Sequence, residues 1–211
     1  MKYKFKALVI DDENQINKLC DSYEKILKMK YDIDIEFDVI ENENDYDANK
    51  LYDILLIDYD LKKGYSQNMM GDDIIKEFRK KNTISKIVFY SSSFIYDPEN
   101  RTFDLQLPDR DIFELINDYG IDYIAYKNNL NMMIDVIKKC CDKTDILSQL
   151  LIKLVEEYGK ENIEITYNNL NGNEVMVTSL IDDLLRDTDE GKQFRKQVIE
   201  TILSTLLNYK Y

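Results

Sequence analysis

The segment DILLIDYDLKKG (53–64) carries an apolar run, Ile54 to Ile57, that ends in Asp58 and Asp60 with one tyrosine between them. An apolar segment that delivers carboxylates to its end suits three chemistries: metal binding, nucleophilic attack in a hydrolase, or acceptance of a phosphoryl group. The same device recurs along the chain. LVIDDE (8–13) ends in Asp11 and Asp12, IVFYSSS (87–93) in Ser91, Ser92 and Ser93, and DYIAYK (122–127) in Lys127. Carboxylates crowded into one place repel one another, and a divalent cation relieves that repulsion. All-oxygen ligands select a hard ion, Mg²⁺ or Mn²⁺. Asp11, Asp12 and Asp58 can supply such a site together with a backbone carbonyl from the loop after Asp58. With a phosphate donor on that metal, Asp58 is placed for in-line attack on phosphorus. Lys127 and the Ser91 hydroxyl then balance charge on the transferred oxygens. Ser92 or Ser93 takes the place of Ser91 if the strand ends one residue away.

The elements that must hold these residues are legible as periodicity. Residues 4–10 read as a buried strand. Residues 15–29 place Ile16, Leu19, Cys20, Tyr23, Ile26 and Leu27 on one helical face. Residues 32–40 alternate as a half-exposed strand, with Ile33, Ile35, Phe37 and Val39 on one side. A polar stretch, 41–51, holds at most a short helix. Residues 53–58 form the next strand, 71–81 a helix, 86–93 a strand, 108–120 a helix with a Pro/Asp start and a glycine stop, 122–127 a strand and 129–142 a helix. Such strand–helix repeats predict an α/β fold: a doubly wound, five-stranded parallel sheet with helices on both faces. Ligands in these sheets lie beyond the carboxyl ends of the strands, where strand order reverses. Asp11, Asp58, Ser91 and Lys127 all fall at such ends.

Composition excludes several alternatives. The 211 residues include no histidine, so Ser-His-Asp triads, His-ligated zinc and phosphohistidine intermediates cannot be built from this chain. The three cysteines form no CxxC and no paired framework, and they read as small core residues of a cytoplasmic protein. No stretch is long and apolar enough to span a bilayer. The N-terminal lysines precede only a short apolar run before acids interrupt it, which is not a signal peptide. A net charge of −13 opposes binding to nucleic acid and favours protein partners.

Taken together, LVIDDE, LLIDYDL, IVFYSS and GIDYIAYK resemble the receiver domain of two-component response regulators over about residues 4–142. The resemblance implies a flavodoxin-like receiver fold. It also implies that Asp11 and Asp12 hold Mg²⁺, that Asp58 is the phosphoacceptor and a metal ligand, and that the Asp60 carbonyl is the backbone ligand. Ser91 is then the hydroxyl that binds the phosphoryl oxygen, and Lys127 its ion-pair partner. A histidine kinase or phosphotransfer protein is the implied phosphoryl donor in a phosphorelay. The chain departs from the family in four places. Asn128 follows the lysine where a proline is usual, and Ile124 stands where an aromatic switch residue is common. The loop before Gly71 is elongated, and residues 94–107 look like an insertion.

Residues 143–211 form a second expected domain: a helix stopped by Gly159, a β-hairpin around Asn171-Gly172, a helix opened by Ser179 and Asp182 in capping-box spacing, and an amphipathic final helix. Phe194, Val198, Ile202 and Leu206 on that last helix are expected to pack on their own domain, or else to serve a homodimer or partner interface. Residues 145–211 hold seven bases against twelve acids, which disfavours a DNA-binding output. The functional expectation is a non-enzymatic signalling protein, phosphorylated on Asp58 and acting through protein contacts with an effector. Two alternatives stand beside it: an adaptor that keeps the fold without phosphate switching, and a Mg²⁺-dependent phosphohydrolase using DYD as nucleophile and acid.

Overall fold

A computed structural model describes residues 2–41, 50–61, 70–100, 102–105, 107–160, 166–168, 172–176 and 179–208. The polar stretch 41–51, most of the loop before Gly71 and Asn171 of the expected turn lie wholly or largely outside them. The chain divides into two compact units, Met1–Lys80 with Ser85–Thr144, and Lys81–Ile84 with Asp145–Tyr211.

In the first unit the strands are β1 (Lys4–Ile10), β2 (Asp34–Ile40), β3 (Ile54–Asp58), β4 (Lys86–Ser91) and β7 (Tyr123–Tyr126). They form one parallel sheet in the order β2-β1-β3-β4-β7. Strand order therefore reverses between β1 and β3. Because side chains alternate along each strand, the sheet builds two cores. On one face Val9, Leu56, Val88 and Ala125 pack with α1 (Ile16–Tyr31) and α4 (Leu130–Lys143). On the other, Leu8, Ile10, Leu55, Ile57 and Phe89 pack with α2 (Gly71–Arg79), through Ile74, Ile75 and Phe78, and with Leu115 of α3 (Asp109–Asn117). Asn129 caps α4, its side chain accepting the Met132 amide at 3.0 Å. The glycine stop after α3 is Gly120, at φ +57°, a conformation that disfavours any side chain.

Residues 94–107, expected only as an insertion, contain a short antiparallel hairpin, β5 (Ile95–Asp97) with β6 (Thr102–Asp104). Its root is anchored by Phe94, which is buried and stacks on Tyr59 with ring centroids 6.1 Å apart. Phe89 touches both rings, at 5.8 Å from Tyr59 and 5.6 Å from Phe94.

The second unit contains α5 (Ile146–Lys160), the antiparallel pair β8 (Thr166–Asn168) and β9 (Glu174–Met176), α6 (Leu180–Leu185) and α7 (Asp189–Asn208). Arg195 ties α7 to the start of α5, donating to Asp145 Oδ2 at 3.1 Å and Ser148 Oγ at 2.9 Å, and it also pairs with Asp187. Three tail expectations need correction. Gly159 does not stop α5, which runs one residue past it; a single glycine costs only about 1 kcal/mol in a helix. Ser179 makes no side-chain cap, because its hydroxyl donates backwards to the Met176 carbonyl at 2.7 Å. On α7, Phe194 meets Tyr167 edge-on at 4.9 Å, but Ile202 and Leu206 are exposed along with Ile199, Leu203 and Leu207. No described helix is long and apolar enough to cross a membrane.

Candidate functional site

Asp58 is the last residue of β3, and the apolar character of Ile54–Ile57 is what buries it. Asp11 follows β1 directly, Ser91 closes β4 and Lys127 follows β7. All four are sequestered from water: Asp11 and Ser91 are 0% exposed, Asp58 2% and Lys127 5%. The Lys127 ammonium lies between the two acids, 2.9 Å from Asp58 Oδ2 and 2.7 and 2.9 Å from the two oxygens of Asp11. Glu13, half exposed, is a third carboxylate at 3.2 Å from the same nitrogen. One cation thus serves three anions, and negative charge is in excess.

That excess has an electrostatic consequence. Burial pushes the Asp58 carboxyl up and the charge of Asp11 adds to the rise while Lys127 opposes it, and the balance leaves it raised to about 6. Lys127 is moved the other way. Burial alone would lower it, but Asp58 and Asp11 together hold its ammonium form above the ordinary lysine range.

Backbone groups and hydroxyls complete the pocket. The Asp60 amide donates to Asp58 Oδ1 at 3.2 Å, and the Glu13 amide to Asp11 Oδ1 at 3.0 Å. Asp60 does more than the sequence reading assigned to it. Its Oδ2 accepts the Ser91 hydroxyl at 3.0 Å and also the Ser93 hydroxyl. Ser91 therefore holds its proton toward Asp60 and not toward Asp58. The Ser91 oxygen in turn accepts the Ser93 amide at 2.9 Å. Asp12, partly exposed, occupies the position after Asp11 on the way to α1.

Tyr90 is a neighbour of the site that the sequence reading did not single out. It lies directly across from Asp58 in the β3–β4 register, is 1% exposed, and donates its hydroxyl to Asp11 Oδ2 at 2.6 Å. Its alternation in IVFYSS is that of any core aromatic; only the partner strand reveals what its hydroxyl meets.

Gly71 is a second residue that was missed. The start of α2 crosses so close behind Asp58 that a Cβ at this position would stand 2.1 Å from the Asp58 carbonyl oxygen. Gly71→Ala is accordingly expected to lower stability by about 1–3 kcal/mol, because backbone must move to admit one methyl group. A urea titration of the variant against the wild type measures the loss, and equal midpoints would refute it.

The donor set suits a hard divalent ion: buried carboxylates in charge excess, a further acid at Asp12 and the carbonyl of Asp60. Among the described residues, however, no three acidic, histidine or cysteine side chains are placed, as they stand, to hold a metal ion. Lys127 occupies the space between Asp11 and Asp58.

Strand order β2-β1-β3-β4-β7, with acids after β1 and β3, a serine ending β4 and a lysine after β7, decides the fold of the first unit. It is the flavodoxin-like receiver fold. Receiver domains among solved structures are similar to it in fold. A CheY-like response regulator receiver domain protein from Methanospirillum hungatei shares 18% identity over 67% of this chain and 97% of its own, with a TM-score of 0.44. A two-component response regulator from Cytophaga hutchinsonii shares 20% over 66% of this chain and 99% of its own, also with a TM-score of 0.44. The phosphorylated cyanobacterial phytochrome response regulator RcpA shares 17% over 65% and 91%, with a TM-score of 0.43. No family model and no curated protein matches the chain.

Proposed function

We propose that this protein is a response-regulator-like signalling protein whose receiver unit accepts a phosphoryl group on Asp58 and passes the change to a protein partner through its C-terminal unit. The carrying observation is the buried Asp11–Lys127–Asp58 arrangement at the carboxyl edge of the sheet, where three anions share one ammonium.

The chemistry follows from the residues. A carboxylate oxygen of Asp58 attacks the phosphorus of a phosphoimidazole on a histidine kinase or phosphotransfer protein. The O–P bond forms as the P–N bond breaks, and the imidazole leaves with the electron pair and takes up a proton. Lys127, already 2.9 Å from Asp58, follows the new charge on the transferred oxygens. The side chains of Asp11, Asp12 and Asp58 and the Asp60 carbonyl would hold Mg²⁺ or Mn²⁺, which would supply further neutralisation of those oxygens. Ser91 reaches the phosphoryl group by exchanging its bond to Asp60 for one to the incoming oxygen. The acyl phosphate carries roughly −1.5 to −2 charges at pH 7 in place of the single charge of the carboxylate, and its oxygens are strong acceptors for that hydroxyl. Since β5 begins four residues after Ser91, the root of the hairpin is the segment closest along the chain to that exchange.

The test is calorimetric titration with beryllofluoride in the presence of Mg²⁺. Wild type is expected to bind and Asp58→Asn is not. The adaptor reading draws on one observation, that Ser91 and Asp60 already satisfy each other; equal absence of binding in both proteins would favour it. The phosphohydrolase reading needs a free acid at Asp60, whose carboxylate is engaged by two serine hydroxyls. A C-terminal unit with excess acid points to a protein effector and away from nucleic acid.

A further inference from the structure

Tyr90 is a buried ionisable group of the pocket for which phosphoryl transfer has no direct use. It touches two groups that do take part and none of the reacting atoms. Its hydroxyl donates to Asp11 Oδ2 at 2.6 Å, and its ring centroid lies 5.6 Å from the Lys127 ammonium. Asp11 also grips Lys127 with both oxygens, at 2.7 and 2.9 Å, while its Oδ1 accepts the Glu13 amide. Asp58 holds the same ammonium through Oδ2 alone, at 2.9 Å.

Asp11 and Asp58 are thus competitors for one cation. A hydrogen bond from a phenol withdraws charge from the oxygen that accepts it, so Tyr90 weakens the claim of Asp11 on the ammonium. The aromatic face offers that ammonium a neutral but attractive wall, so it needs no third anion on that side. Both contacts leave Lys127 available to Asp58.

We propose that Tyr90 is a positioning residue: by holding Asp11 and backing Lys127 it sets how much of the ammonium is committed to Asp11 and how much is free for Asp58 and the phosphoryl group received there. The proposal rests on the phosphoacceptor reading of Asp58. Without the hydroxyl, Asp11 Oδ2 has only the ammonium to turn to, and Lys127 is drawn away from the transferred oxygens.

The test is a double-mutant cycle on the full chain, read as the affinity for beryllofluoride at fixed Mg²⁺, with wild type, Tyr90→Phe, Asp11→Asn, the double variant and Asp58→Asn. Tyr90→Phe keeps the ring and removes one oxygen. It is expected to weaken binding on the order of tenfold to a hundredfold, the range for a hydrogen bond to a charged group. In the Asp11→Asn background the same substitution is expected to have no further effect, because Tyr90 acts through Asp11. Thermal melts of all five proteins fix a temperature at which each is folded, so loss of structure is kept apart from loss of binding. Wild-type affinity in Tyr90→Phe overturns the proposal. So does a loss of equal size in both backgrounds, which is what core packing alone would give. A wild type that binds no better than Asp58→Asn removes the phosphoacceptor reading and this proposal with it. Binding by wild type with Tyr90→Phe unchanged removes only the role of Tyr90.

Discussion

Lys127→Met is expected to destabilise the folded protein by about 3–5 kcal/mol at pH 7. Methionine keeps most of the stem volume, so the loss reports on charge and little on packing. Lys127 is buried with Asp11 and Asp58 on either side, and its removal strands two carboxylates in a site that water does not reach. Breaking a buried pair in this way is costly because the remaining charges keep their desolvation penalty and lose their compensation. Urea denaturation with an unchanged slope measures the effect. Acidification should relieve part of it, since an Asp58 without Lys127 takes up a proton more readily still. A loss below about 1 kcal/mol would mean that the carboxylates find other partners.

Asp58→Asn is expected to act in the opposite direction, making the metal-free protein more stable than wild type at neutral pH. Burial raises the Asp58 carboxyl from 3.8 to about 6, so the native state favours its protonated form. The stability this group contributes is fully present below about pH 4 and is lost as pH rises through about 6. A shift of that size amounts to on the order of 3 kcal/mol by pH 7.5. Asparagine stays neutral throughout and can still accept from Lys127, which keeps Asp11 and Glu13 as counter-ions. The gap between variant and wild type should open between pH 4 and pH 7 and close again on acidification. Added Mg²⁺ should narrow it at neutral pH by relieving the same repulsion. A variant no more stable than wild type at pH 7.5, or a gap that ignores pH, would refute the assignment of unfavourable charge to Asp58.

Much of the sheet is legible in sequence because each buried parallel strand is an apolar run with an abrupt polar end. That transition marks Asp11, Asp58, Ser91 and Lys127, and the structure places all four at one edge. Pairwise geometry is not legible in the same way. Whether Ser91 bonds Asp58 or Asp60 depends on rotamers within a pocket a few ångströms wide, and sequence spacing carries no information at that scale. Tyr90 eluded sequence reasoning for a related reason, since its meaning depends on what faces it across β3. The β5–β6 hairpin was hidden by length, because three-residue strands are too short for alternation to emerge from a polar segment. Gly71 gave no signal at all; a glycine before a helix is ordinary until another backbone is found against it.

The aromatic trio at the hairpin root bears on how the sequence can drift. Tyr59 follows Asp58, Phe89 lies within β4, and Phe94 begins the hairpin, yet each ring rests on the other two. None can change size without opening a gap beside the other two, so substitutions at these positions should be epistatic, with a loss at one recovered only by a matched change at another. In an alignment of relatives the three would vary together or not at all. Residues 59, 89 and 94 form one heritable unit, in which the neighbour of Asp58 and the root of the hairpin are inherited as a pair.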